Sequence, residues 1–183
     1  MNKNLINNNY LILPNFIELE RANQLYEIYK QSTKTEQDLF TQDGQCPKSL
    51  SAYNYHWFIE LLIENATILS DILQEPLLPT YCYSRLYRHG EILAKHSDRP
   101  ACEISVTLNL GSDGTPWPIH FTKPNGDIAS VELTPGQAAV YLGCESDHWR
   151  DAFQGQEYGQ VFLHYVRSRG PHWDCYFDKK DKN

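Results

Sequence analysis

A chain of 183 residues with 23 acidic against 16 basic side chains, a formal net charge of -7, is long enough for one hydrophobic core and short for two. That acidic balance, with no run of Lys and Arg, excludes the electrostatic footprint of a nonspecific nucleic-acid binder. No apolar stretch approaches the length of a membrane span, and residues 1–9 have neither the charged start nor the long apolar run of a signal peptide, so a cytoplasmic location is expected.

In chain order, Tyr10-Leu-Ile-Leu-Pro-Asn-Phe predicts a short strand closed by a turn, because Pro14 cannot donate to a ladder and Asn15 can cap the next helix. Ile17, Leu19, Ala22, Leu25, Tyr26 and Tyr29 recur at helical spacing and predict an amphipathic helix over about 17–31. Residues 32–51 are polar, include Gly44 and Pro47, and predict a mobile loop within the domain. A second helix is predicted over about 55–73, before Pro76 and Pro79.

Beyond Pro79, short runs of Tyr, Val, Ile, Thr and Phe alternate with Gly, Pro and Asn turns. They predict strands near 80–88, 102–110, 118–121, 129–133, 138–141 and 160–166, and residues 178–183 read as a solvated charged end. Helices followed by closely spaced strands predict a mainly β fold with flanking helices. Residues 1–183 would form a single domain, an antiparallel jelly roll over about 79–167 packed against a helical part over about 16–75. Cys46, Cys82, Cys102, Cys144 and Cys175 are scattered without a CxxC pair and read as free thiols of a reducing compartment. Tyr81, Tyr83 and Tyr87 cluster in one predicted strand; they can line a polar pocket, but by themselves they favour a half-buried sheet face.

The chemistry concentrates on His96-Ser97-Asp98. Residues i and i+2 of an extended segment point to the same side, so both side chains can reach one ion. Two histidines and one carboxylate on one face of a metal leave adjacent positions open, as non-haem iron oxygenases require. A lone His-x-Asp triplet is weak, so its surroundings decide. Tyr87 stands nine residues before His96, with Gly90 between them, and a strand begins near Cys102. Far downstream come Pro135-Gly136, a strand over 137–141 and His148 in the turn beyond. His120 and His164 alternate into strands and are candidates for the ligands' surroundings or the substrate side. His56 reads as a helix start, His172 as a loop residue, and His89 as a further competitor.

In that order, residues from about 10 to 166 resemble the 2-oxoglutarate/Fe(II)-dependent dioxygenase superfamily, and within it the prolyl-4-hydroxylase-like branch; the opening Tyr-Leu-Ile-Leu-Pro-Asn-Phe and its helix are similar to that branch's start. The resemblance implies a double-stranded β-helix, catalytic iron(II) held by His96, Asp98 and His148, and 2-oxoglutarate and O2 as cosubstrates, with ascorbate as an accessory reductant. It implies hydroxylation of an unactivated C–H bond with release of succinate and CO2, first on a peptidyl residue such as proline. A free amino acid or small metabolite is the alternative substrate. A cupin-like metal-binding module that does not use 2-oxoglutarate is the reading of another class. The partners expected are a peptide, protein or small molecule, and neither nucleic acid nor membrane.

In the family the far carboxylate of 2-oxoglutarate is anchored by a basic residue on the strand after the distal histidine, and Gln160 stands at about that place. A glutamine brings no charge, and a buried carboxylate wants a cation. That cation is sought first in Arg85, on the same strand face as Tyr87, then in Arg99 directly after the triplet, with Lys123 and Arg150 following. Tyr87 is expected to donate a hydrogen bond to the cosubstrate, and Thr107 and Asn109 to line the pocket from the next strand. Trp117, Trp149 and Arg150 are candidates for meeting substrate, the last at the cavity mouth. By the same analogy residues 32–51 form a flap over the site.

Overall fold

The structure, a computed structural model, describes residues 1–179. Residues 180–183, most of the expected charged end, lie outside the described residues; Asp178 is described and its carboxylate is engaged by Arg99. A short helix not expected from the sequence, α1 (Lys3–Asn8), precedes β1 (Tyr10–Leu13). Helix α2 (Leu19–Thr35) starts after Glu18, which makes no side-chain cap, so Asn15 is not the capping residue. The helix also runs into the stretch expected as a loop. The remainder of that stretch holds a 3-10 turn (Gln37–Leu39) and the start of β2 (Leu50–Tyr53), with a bridge from Thr41 to Ser51. Helix α3 (His56–Leu73) ends at Gln74 in the left-handed region. No helix among the described residues is long and apolar enough to cross a membrane.

The strands are β3 (Leu77–Arg88), β4 (Leu93–His96), β5 (Ile104–Ser112), β6 (Ile119–Thr122), β7 (Ile128–Val131), β8 (Ala138–Leu142), β9 (His148–Arg150) and β10 (Glu157–Arg167). They form two antiparallel sheets, one in the order β1-β8-β5-β10-β3-β2 and the other β4-β9-β6-β7. Together they make the double-stranded β-helix. Pro79 is tolerated inside β3 because β2 pairs only with residues 83–86, leaving the β3 edge open where the proline lacks its N–H.

Period-two alternation splits the larger sheet into two faces. Ile104, Val106, Leu108, Val140, Val161, Leu163 and Tyr165 bury against α2 and α3. The opposite face presents Tyr81, Tyr83, Arg85, Tyr87, Ser105, Thr107, Gln160, Phe162 and His164 toward the smaller sheet, each from alternate positions of its strand. Helix α2 is seated by Tyr26, whose ring lies across the paired Gly111 and Gly159; a Cβ at either would stand 2.5 or 2.6 Å from that ring.

Candidate metal centre

His96 ends β4, His148 begins β9, and the two residues pair across the strands. Their rings lie 4.3 Å apart. Each imidazole uses Nδ1 locally, His96 toward the Ala94 carbonyl at 2.8 Å and His148 toward the Ser146 carbonyl at 3.0 Å. That bond places the proton on Nδ1 and leaves the Nε2 lone pair for a ligand role. Both Nε2 atoms stand 3.7 Å from Asp98 Oδ1, and the three ligand atoms lie within 4.8 Å of one another. With metal–ligand bonds of about 2.0–2.2 Å, atoms bound to one ion lie at most roughly 4.4 Å apart, so both 3.7 Å spans suit a shared cation. Burial lowers the pKa of His148 against the opposing pull of Asp98, which keeps the imidazole neutral and able to ligate.

Asp98 is oriented from behind. Its N–H donates to the Gly143 carbonyl at 2.8 Å. Its Oδ2 stands 3.0 Å from Ser105 Oγ, which also stands 2.9 Å from His164 Nδ1. Ser105 has one hydroxyl hydrogen, so we assign it to Asp98, with the His164 N–H filling the serine's lone pair. Oδ1 is thereby left for the ion. Burial brings His164 down to about 4, so it stays neutral. A Cβ at Gly143 would lie 2.6 Å from Asp98 Oδ2, so the close approach that fixes this carboxylate needs a glycine there. Neither Ser105 nor Gly143 was anticipated. Ser105 shares strand parity with Thr107 and was readable; Gly143 left no signal.

A cavity of about 260 Å³ opens beside the ligands, walled by Leu93, Tyr141, Phe162 and His164 and reached by Arg85 and Arg99. Arg85 joins the cavity to a buried polar layer. Arg85 donates to Tyr87 Oη at 3.3 Å, to Gln45 Oε1 at 2.7 Å and to Asp43 Oδ2 at 2.9 Å. Burial raises the pKa of Tyr87 against the opposing effect of Arg85, so its phenol keeps its proton. Burial also pushes the Asp43 carboxyl up, but the Tyr83 hydroxyl and the Arg85 guanidinium outweigh it and hold the group below its usual range. Gln160 pairs with Arg85 across the strands and spends its amide on Thr107 Oγ1 at 2.5 Å and on Arg150 Nη2 at 3.2 Å.

Several expected positions are corrected. Arg150 is 1% exposed, not at the mouth: it stacks on Trp117 and Tyr158 and donates to the Trp117 carbonyl and Gln160. Trp117 is core, packed on Tyr87, Phe153 and Tyr158. Trp149 and His120 stack on the outer face of the smaller sheet, with Lys95 over the tryptophan, because neighbours of inward-facing His148 and Phe121 must point outward. Lys123 lies in the β6–β7 turn. Asn109 donates to the Leu133 carbonyl, and Thr107, Gln160 and Tyr87 lie behind the cavity wall and do not line it. Arg99 sits at the rim, paired with Asp178. Asp43 and Gln45, from the stretch expected as a flap, reach Arg85 across some 40 residues, and nothing local in the sequence marks them.

No family model matches the chain, and no curated protein does. Solved structures do. A prolyl-4-hydroxylase from Pseudomonas putida is similar with a TM-score of 0.73 and 16% identity, over 91% of this chain and 96% of that one. The epimerase SnoN, in complex with Fe3+, alpha-ketoglutarate and nogalamycin RO, gives 0.74 and 10% over 98% and 88%. EctD from S. alaskensis, with 2-oxoglutarate and 5-hydroxyectoine, gives 0.71 and 11% over 89% and 73%. At such identities the likeness is one of fold: this chain has the double-stranded β-helix of the 2-oxoglutarate-dependent oxygenases.

Proposed function

We propose that this protein is an Fe(II)- and 2-oxoglutarate-dependent oxygenase that hydroxylates an unactivated C–H bond. The observation that carries the reading is the convergence of His96 Nε2, His148 Nε2 and Asp98 Oδ1 on one point of the cavity wall, each with its other heteroatom already hydrogen-bonded. Iron held there, with 2-oxoglutarate and O2, supplies the oxidising power for C–H hydroxylation and releases succinate and CO2. The chain's own work is to hold, orient and dry the reactants.

Charge accounting supports the cosubstrate. Arg85 and Arg150 are 7% and 1% exposed; Asp43 pairs with Arg85, while Arg150 has the Trp117 carbonyl and Gln160 as its hydrogen-bond acceptors. Arg150 makes no ion pair among the described residues, and its guanidinium beside Gln160 favours an anion nearby. Arg85, which reaches the cavity, would hold the far carboxylate, with Arg150 adding charge through Gln160 in place of a basic residue on β10. The Tyr87 phenol would brace Arg85 from behind the cavity wall, accepting from its Nη1. Tyr141 and Phe162 would shield the reacting face from water. The small cavity favours a metabolite over an extended peptide as substrate.

Anaerobic titration with iron(II) and then 2-oxoglutarate tests the reading. A visible metal-to-ligand charge-transfer band is expected in wild type and should vanish in His96→Ala. Tight iron binding without the band would move the cupin-like alternative to first place.

A further inference from the structure

The cavity carries two carboxylate receptors, built alike and set at different depths. At the inner one, Arg85 Nε at 2.9 Å, the Tyr83 hydroxyl at 2.7 Å and the Ser51 hydroxyl at 3.2 Å all donate to Asp43 Oδ2. At the outer one, Arg99 donates to Asp178 through Nη1 to Oδ1 at 2.7 Å and through Nη2 to Oδ2 at 2.9 Å, and the Tyr53 hydroxyl donates to the same Oδ2 at 2.5 Å. Arg99 is steadied 4.6 Å above the Tyr81 ring, which itself stacks on Tyr53 at 5.2 Å. A guanidinium fork with an added phenol matches a planar carboxylate in both charge and shape.

The two occupants belong to segments held on different terms. Asp43 sits in a stretch fastened by buried Cys46 and Ser49 and by the Lys48 N–H donating to Glu91. Asp178 ends a 3-10 turn, Trp173–Asp178, none of whose residues is buried. Phe177 and Asp178 both take positive φ, 51° and 48°, which is unfavourable for residues with a Cβ. The turn is seated on the sheet through Cys175, packed against Tyr81, Ala101 and Cys102, and closes Arg99 with an Asp178 side chain that is 6% exposed.

We infer that Arg99 and Tyr53 are the receptor for the substrate, and that the substrate is a metabolite-sized carboxylic acid whose anion displaces Asp178 while its body lies along Tyr81 and Phe162 toward His96. This rests on the oxygenase reading, in which Arg85, keeping Asp43 on its Nε, turns its Nη side to 2-oxoglutarate and Arg99 at the rim is left for the second reactant. Depth fits the order of binding: the Arg85 side chain is 8% exposed and must be filled first, whereas that of Arg99 is 50% exposed and meets what arrives from solvent. A 260 Å³ cavity lies just under the ~300–1,000 Å³ of ordinary ligand sites, which suits a small acid.

The test is calorimetric titration of the anaerobic protein, loaded with iron(II) and 2-oxoglutarate, with phenylacetate and with its uncharged counterpart phenylacetamide. Asp178→Asn removes an intramolecular competitor, so phenylacetate should bind about tenfold more tightly than to wild type, with phenylacetamide unchanged. Arg99→Gln added to that variant should abolish the gain, and Tyr53→Phe should reduce it. Acid and amide gaining equally from Asp178→Asn, no gain for the acid, or a gain that survives both further substitutions would overturn the inference. Arg99 adjoins Asp98, so the charge-transfer band is read in every variant to verify loading. If 2-oxoglutarate fails to load even in wild type, the oxygenase reading falls separately, and the contrast between acid and amide still decides the receptor.

Discussion

The larger sheet contains strands of up to 12 residues and buries one face completely against two helices, whereas the smaller sheet is made of strands of 3 and 4 residues. Yet the small sheet supplies both histidines, from paired positions on β4 and β9. Long pairings and apolar burial make the first a rigid platform. Short strands leave the second little pairing of its own, so its geometry depends on the residues packed behind it. Stability and chemistry are therefore separable in this molecule, and substitutions can test how far.

The largest expected effect is on metal. His96→Ala should weaken iron(II) binding by more than about 100-fold, read by anaerobic equilibrium dialysis, while the melting temperature of the metal-free protein stays nearly unchanged because this side chain is partly exposed. A joint loss of binding and stability would break the separation. Gly143→Ala sharpens it, because this glycine follows the last strand residue of β8 in the large sheet and touches Asp98. The added methyl would meet the Cys102 carbonyl and, at 2.6 Å, the carboxylate, so iron should weaken about 10–100-fold with a loss of stability that His96→Ala does not show. Unchanged affinity would show that Asp98 does not need this close approach.

Gly111→Ala is the converse case. The methyl would meet the Tyr26 ring far from the metal, so about 1–3 kcal/mol of stability should be lost in denaturant unfolding, with iron affinity of the folded fraction intact. The smallest effect is expected from Trp149→Phe. The ring lies on the outer face of the small sheet, and turnover kinetics should not change. A fall in kcat would return Trp149 to the substrate side.

Much of the fold was legible in the sequence. The helical spacing of Ala22, Leu25, Tyr26 and Tyr29 and the alternation of the long strands follow from local periodicity, and β3, β5, β8 and β10 were expected within a few residues of their ends. Of the short strands β1, β6 and β7 were expected, but β2, β4 and β9 were not, since three or four residues contain few periods to register. That omission had a consequence. Taken as a turn, the segment at His148 left Trp149 and Arg150 free to face the substrate; recognised as β9, it sends Trp149 outward and buries Arg150 beside Gln160.

The sequence by itself determined the class of the fold and brought His96 and Asp98 forward as candidate ligands, because periodicity and the spacing of that pair are properties of neighbouring residues. Only the tertiary structure decided which cation meets which carboxylate. Arg85 finds Asp43 and Arg99 finds Asp178 across 42 and 79 residues, Arg150 is left without a carboxylate among the described residues, and Gly143 is pressed against Asp98. Electrostatic and steric partners act through distances of a few ångströms in space, and a local pattern holds no record of the distant residues that the chain brings back to it.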